Sequence, residues 1–147
     1  MKSSMNWAKI LVVLALLGSC IAISPVSAAI FDKEGKDLTE PQLYELTNAT
    51  SPAGENKTVI YFYDPDCGSC AKVEEFMTPF LEKNPDAKVE KISVATNETM
   101  QQFTDKKTEY NREKIFVPVM FFGPVVLEGS NDITNNFESV YAWYTKE

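Results

Sequence analysis

The sequence has no histidine, and only three cysteines, Cys20, Cys67 and Cys70, among 147 residues. Without histidine there is no Ser-His-Asp or Cys-His catalysis, and no zinc site built on imidazoles. Three thiols are also too few for a four-cysteine zinc site. Positive charge is short as well: 14 Lys and Arg stand against 21 Asp and Glu, a net charge of −7. Such a chain repels phosphates, so no nucleic-acid partner is expected. There is no internal repeat and no low-complexity tract, and the length suits one domain of ordinary size.

Charge is missing altogether from residues 10–31, a run of 22. Lys2 and Lys9 precede it as a positive n-region, and residues 10–17 form an apolar h-region. Val26-Ser27-Ala28 then supplies small residues ahead of a cleavage point between Ala28 and Ala29. This is the order of a Sec-type signal peptide, so residues 1–28 predict export. Two variants stay open. The run is long enough to remain as a membrane anchor, although Pro25 lies inside it. Leu17-Gly18-Ser19-Cys20 also has the form of a lipobox, with Cys20 as the lipidated residue. Removing the first 28 of 147 residues leaves 119 and moves the net charge from −7 to −9. A domain of that size buries roughly two-thirds of its surface and needs no staple. Cys67 and Cys70 would in any case close too short a loop to stabilise much.

Residues 29–37 read as a short leader, and residues 38–147 as the domain. Thr39 and Gln42 form a capping box for a short helix with Leu43 and Leu46 on its apolar side. Ser51-Pro52, Gly54 and Asn56 mark a loop. Val59-Ile60-Tyr61-Phe62-Tyr63 is apolar nearly throughout, as a strand covered on both faces is. After Cys67-Gly68-Ser69-Cys70, residues Val73, Phe76, Met77, Phe80 and Leu81 form a helical stripe. Pro79 is expected to kink or end that helix. Residues 88–94 read as a strand. Asn97 is expected to cap a helix bearing Met100, Phe103 and Tyr110. Residues 119–122 and 125–127 read as a hairpin across Gly123-Pro124, and Ile133, Phe137, Val140, Tyr141 and Tyr144 as a last helix. The predicted order is α-β-α-β-α-β-β-α, an α/β domain with a mixed sheet and helices on both faces. Tyr61, Phe62, Tyr63, Phe121 and Phe122 read as core.

The chemistry lies in Cys67 and Cys70, a Cys-x-x-Cys pair at the junction of a buried strand and an amphipathic helix. There Cys67 meets the free N–H groups and the dipole of the helix N-terminus, which stabilise a thiolate. Cys70 shares its face, one turn on, and can attack a mixed disulfide formed on Cys67.

The stretch Val-Ile-Tyr-Phe-Tyr-Asp-Pro-Asp-Cys-Gly-Ser-Cys, residues 59–70, resembles the active-site segment of the thioredoxin family. Val89-Glu90-Lys91-Ile92-Ser93-Val94 resembles its second central strand, with Lys91 at the family's lysine position. Phe116-Val117-Pro118-Val119 resembles its cis-proline segment, and Leu127-Glu128-Gly129 the end of its last hairpin. The resemblance covers residues 38–147 and implies a thioredoxin fold. It implies a cis bond before Pro118, with Val117 and Pro118 binding an extended substrate segment by strand addition. It also implies a catalytic redox disulfide between Cys67 and Cys70.

Two departures matter. The family's buried strand acid is replaced by Tyr61, and a water, Lys91 or Glu74 could take its place. Asp66 replaces the tryptophan before the first cysteine, and Asp64 and Asp66 oppose a thiolate at Cys67. A mildly reducing or intermediate couple is therefore expected.

The function expected is that of an extracytoplasmic thiol–disulfide oxidoreductase, an enzyme leaning reductive, with protein thiols and disulfides as substrates. It would need a membrane redox partner, because no soluble thioredoxin reductase works outside the cytoplasm. No cofactor and no metal is expected, and the expected state is a monomer. A non-catalytic binding module with an inert disulfide is the alternative that the missing acid suits. Copper handling, with Cu(I) on two thiolates, is disfavoured by the missing histidine. Asn48, Asn56 and Asn97 begin N-glycosylation sequons.

Overall fold

The computed structural model describes residues 29–54 and 57–146. The signal peptide, the anchor and lipidation at Cys20 lie outside the described residues, as does Asn56. The protein is an α/β domain built on a mixed five-stranded sheet.

The strands are β1 (Ala29–Asp32), β2 (Val59–Tyr63), β3 (Val89–Ser93), β4 (Val119–Phe122) and β5 (Val125–Glu128). The helices are α1 (Glu40–Asn48), α2 (Gly68–Lys83), α3 (Asn97–Glu109) and α4 (Ser130–Thr145). Across the sheet the order is β1-β5-β4-β2-β3. Only β2 and β3 run parallel, joined through α2; the other pairs are antiparallel. The register aligns Ala29, Glu128, Val119, Phe62 and Ile92 in one row across all the strands. That row lies at the end of the sheet where β2 runs out toward Cys67.

Strand side chains alternate between faces, so the sheet feeds two cores. Tyr61, Met120, Phe122, Val125 and Leu127 pack with Leu43 of α1, Val73 and Met77 of α2, and Ile133, Phe137 and Val140 of α4. On the other face Phe62, Val119, Phe121 and Val126 pack with Phe103 of α3, Tyr110 and Ile115. Helices therefore cover both faces.

Residues 29–37 are not a leader. Ala29–Asp32 pairs with all of β5, and Phe31 bridges to Asp37. Ile30 enters the first core and Phe31 the second, as the period of two requires. Every residue of β5 is buried, so its outer edge needs a partner, and β1 provides it. Arg112 fixes the following turn: its guanidinium lies 4.3 Å over the Phe31 ring and bonds to Gly35 O and Asp37.

Three local expectations shift. Pro79 lies inside α2, which continues to Lys83. Phe80, beyond the proline, packs edge-on against Phe137 of α4, and this contact holds the last turn in place. The cap of α3 is Thr96 rather than Asn97: its Oγ1 accepts the Thr99 N–H at 3.2 Å. Met100 is exposed, leaving Phe103 and Tyr110 as the buried positions of that segment.

Candidate active site

β2 delivers the chain into a tight turn at Asp64-Pro65-Asp66. The Asp64 carboxylate accepts the Asp66 N–H at 2.9 Å, and the Asp64 carbonyl accepts the Cys67 N–H at 3.2 Å. These bonds set Cys67 at the N-cap of α2 in extended conformation. N-caps favour a side chain that can accept a hydrogen bond, and here the acceptor is sulfur. Cys67 Sγ takes the Cys70 N–H at 3.3 Å and lies 3.0 Å from Ser69 Oγ.

The two thiols, both free, differ in environment. Burial pushes the Cys67 thiol up, but the hydrogen bonds from Cys70 and Ser69 outweigh it and bring it below the ordinary thiol range. No acid occupies the first turn of α2 to oppose the helix dipole. Cys70 is 1% exposed, and its sulfur accepts the Asp64 N–H at 3.5 Å. Burial, with the neighbouring Cys67 and Asp64, pushes its thiol up to about 12. Asp64 thus acts on Cys70, and a thiolate at Cys67 is favoured despite the two aspartates.

The Val117–Pro118 bond is cis. Val119 faces Phe62 across the β4–β2 pair, so Val117 and Pro118 lie level with the residues leading into Cys67. Among the described residues, Val117 takes part in no backbone hydrogen bond, which leaves its N–H and C=O open to an extended chain. Two bonds hold this segment. Gly129 N–H donates to Pro118 O at 2.8 Å, and Phe116 N–H donates to the Glu128 carboxylate at 3.0 Å. Gly129 has φ 89°, a conformation that costs little only at glycine. The Phe116 side chain is 64% exposed.

Glu128 is the one buried charged residue in the described core. Burial pushes its carboxyl above the usual range, against the opposing pull of the Phe116 N–H and the Arg112 charge.

Behind Cys70, on the same face of the sheet, lies a second polar group. Lys91 binds Glu74 Oε2, and its Nζ lies 5.5 Å from the centre of the Tyr63 ring. Glu74 Oε1 and the fully buried Tyr61 hydroxyl have no hydrogen-bond partner among the described residues. Burial, then the neighbouring Cys70 and Glu74, raise the Tyr61 phenol well above its ordinary range.

The fold therefore gathers Cys67, Cys70, Val117 and Pro118 at one end of the sheet. The sequons lie apart. Asn48 ends α1, where its amide donates to Tyr44 O, and Asn97 opens α3 with Thr99 engaged by Thr96. Sequence reasoning passed over Ser69, Phe116 and Glu128. Ser69 had a signal: a hydroxyl two residues beyond a helix-capping thiol. Among the described residues no group of three or more Cys, Asp or Glu side chains is placed to hold a metal ion. Nor is any described helix long and apolar enough to cross a membrane. Comparison with protein-family models, curated proteins and solved structures finds no match to the chain.

Proposed function

We propose that the protein is a thioredoxin-like thiol–disulfide oxidoreductase that works outside the cytoplasm on protein substrates. The observation that carries the reading is the asymmetry of the pair. Cys67 caps a helix with its thiol lowered, while Cys70 is buried one turn on with its thiol raised. The strand order β3-β2-β4-β5 and the cis bond before Pro118 support a thioredoxin-like fold, with β1 as an added edge.

In the reductive direction the Cys67 thiolate attacks a substrate disulfide, forming a mixed disulfide and releasing one substrate thiolate. Cys70 then loses its proton and attacks Cys67 Sγ. The Cys67–Cys70 disulfide forms, the second substrate sulfur leaves as thiolate, and two electrons have passed to the substrate. Val117 would hold the substrate chain by strand addition. The basic start and uncharged run of residues 1–28 support export. A membrane electron carrier would then regenerate the dithiol.

Insulin reduction with dithiothreitol as electron donor tests the proposal. Wild-type protein should accelerate it, and Cys67→Ser should fall to the background rate. Activity unchanged by Cys67→Ser would overturn the assignment.

A further inference from the structure

Tyr61 of β2 and Lys91 of β3 are register partners in the parallel pair, so both side chains rise on the face that α2 covers. On α2, Cys70 and Glu74 are four residues apart and share a face, one turn above the other. Four polar groups from three elements thus meet in an otherwise apolar layer formed by Val73, Met77 and Met120. Two of them hold polar atoms in deep burial without a partner: the Tyr61 hydroxyl and Glu74 Oε1. A buried polar atom left unmatched destabilises the fold, because it has given up water for nothing. Two beside one buried thiol are an arrangement that packing alone would not retain.

We infer that Tyr61 and Glu74 form the proton relay that deprotonates Cys70 when it attacks the mixed disulfide. This rests on the redox role proposed above for the cysteine pair. A phenol both donates and accepts; the Tyr61 hydroxyl bonds to neither neighbour in the resting dithiol, and in the relay it closes on both as Cys70 attacks, taking the proton from Cys70 Sγ while passing its own to Glu74 Oε1. Tyr61 is a phenol before and after. Cys70 Sγ forms its bond to Cys67 Sγ, the bond from Cys67 to the substrate sulfur breaks, and the proton rests on Glu74. Lys91 holds the other Glu74 oxygen and directs Oε1 inward. The Glu74 side chain is 33% exposed, which gives the proton a path to solvent. The raised phenol fits this role, because Tyr61 transmits a proton without becoming an anion. Lys91 and Tyr63 are the other titratable groups facing the relay, and Cys67 and Asp64 face Cys70. β4 contributes Met120, which does not titrate.

The test uses the full chain and Ellman's reagent, which separates the two steps. Attack by Cys67 releases one thionitrobenzoate, and attack by Cys70 on the resulting mixed disulfide releases a second. Stopped-flow traces would be recorded against pH for wild type, Glu74→Gln and Tyr61→Phe. Both variants keep side-chain volume, and urea melts check that they fold. The expected result is a second release slowed about 10- to 100-fold in each variant at neutral pH. That deficit should shrink as pH rises and hydroxide replaces the relay, while the first release is unchanged. A second release with wild-type rate and pH profile in both variants would overturn the relay, as would equal slowing of both releases. If wild type itself gives no second release, the redox reading of the pair fails instead.

Discussion

Glu128 accepts the backbone N–H of Phe116 at 3.0 Å, and by this bond the end of β5 steadies the segment that carries Val117 and Pro118. The carboxyl is buried, so it stands between two demands: accept the hydrogen bond, and avoid a charge away from water.

Substitution at Glu128 should separate these demands. Glu128→Ala leaves the Phe116 N–H unmatched and should cost about 1–3 kcal/mol in urea unfolding. Glu128→Gln keeps an acceptor without the charge. The folded carboxyl is raised above its unfolded value, so its favourable contribution is full below the unfolded range and is lost as pH rises through the folded one. Glu128→Gln should therefore gain on wild type between pH 4 and pH 7. A gap that stays constant over that interval would count against the buried-charge account.

Alkylation should distinguish the two sulfurs. With Cys70 pushed up to about 12, iodoacetamide at neutral pH should label Cys67 alone, giving a single adduct by mass spectrometry. The labelling rate should reach its plateau at lower pH than for an ordinary thiol. Ser69→Ala removes a hydroxyl 3.0 Å from the Cys67 sulfur and should move that plateau to higher pH.

The exposed Phe116 ring stands next to the open backbone of Val117. Phe116→Ala should raise KM for a protein disulfide roughly 5- to 30-fold, the effect of losing ~1–2 kcal/mol of apolar contact. Turnover at saturation and the urea midpoint should not move. A fall in kcat with KM constant would argue against a docking role.

Phe137 anchors α4 within a group of rings. Phe76, Phe80, Phe122 and Tyr141 have centroids 6.0, 4.8, 5.8 and 5.4 Å from its own. Phe137→Ala should cost about 3–5 kcal/mol by urea denaturation. Activity of the fraction still folded should be close to normal, because the ring lies away from the thiols.

What the sequence disclosed follows from how locally each feature is encoded. The run from Val59 to Tyr63 and the stripe from Val73 to Leu81 are patterns within a few turns of chain, and both elements form where the pattern indicates. β1 was hidden because Ala29, Ile30 and Phe31 continue an uncharged run with no compositional break. Its partner, β5, lies about a hundred residues on. Pro79 misled because its cost is local while the compensating contact, Phe80 on Phe137, is tertiary. The cysteine pair was legible from spacing and context. Glu74 was legible only as one option, since a charged residue on a helix ordinarily faces solvent; its tie to Lys91 and its place beside Tyr61 come from three elements meeting.

The alignment of Ala29 with Glu128, Val119 and Phe62 also gives the molecule a front and a back. The chain enters at the front, three strand spacings or ~14 Å sideways from β2. At the back, Lys57, two residues before β2 begins, binds the Lys146 carbonyl at 2.5 Å. Fastened to a solid support through its C-terminal end, the protein would turn its thiols outward to whatever flows past. Fastened at Ala29 itself, it would hold them against the surface.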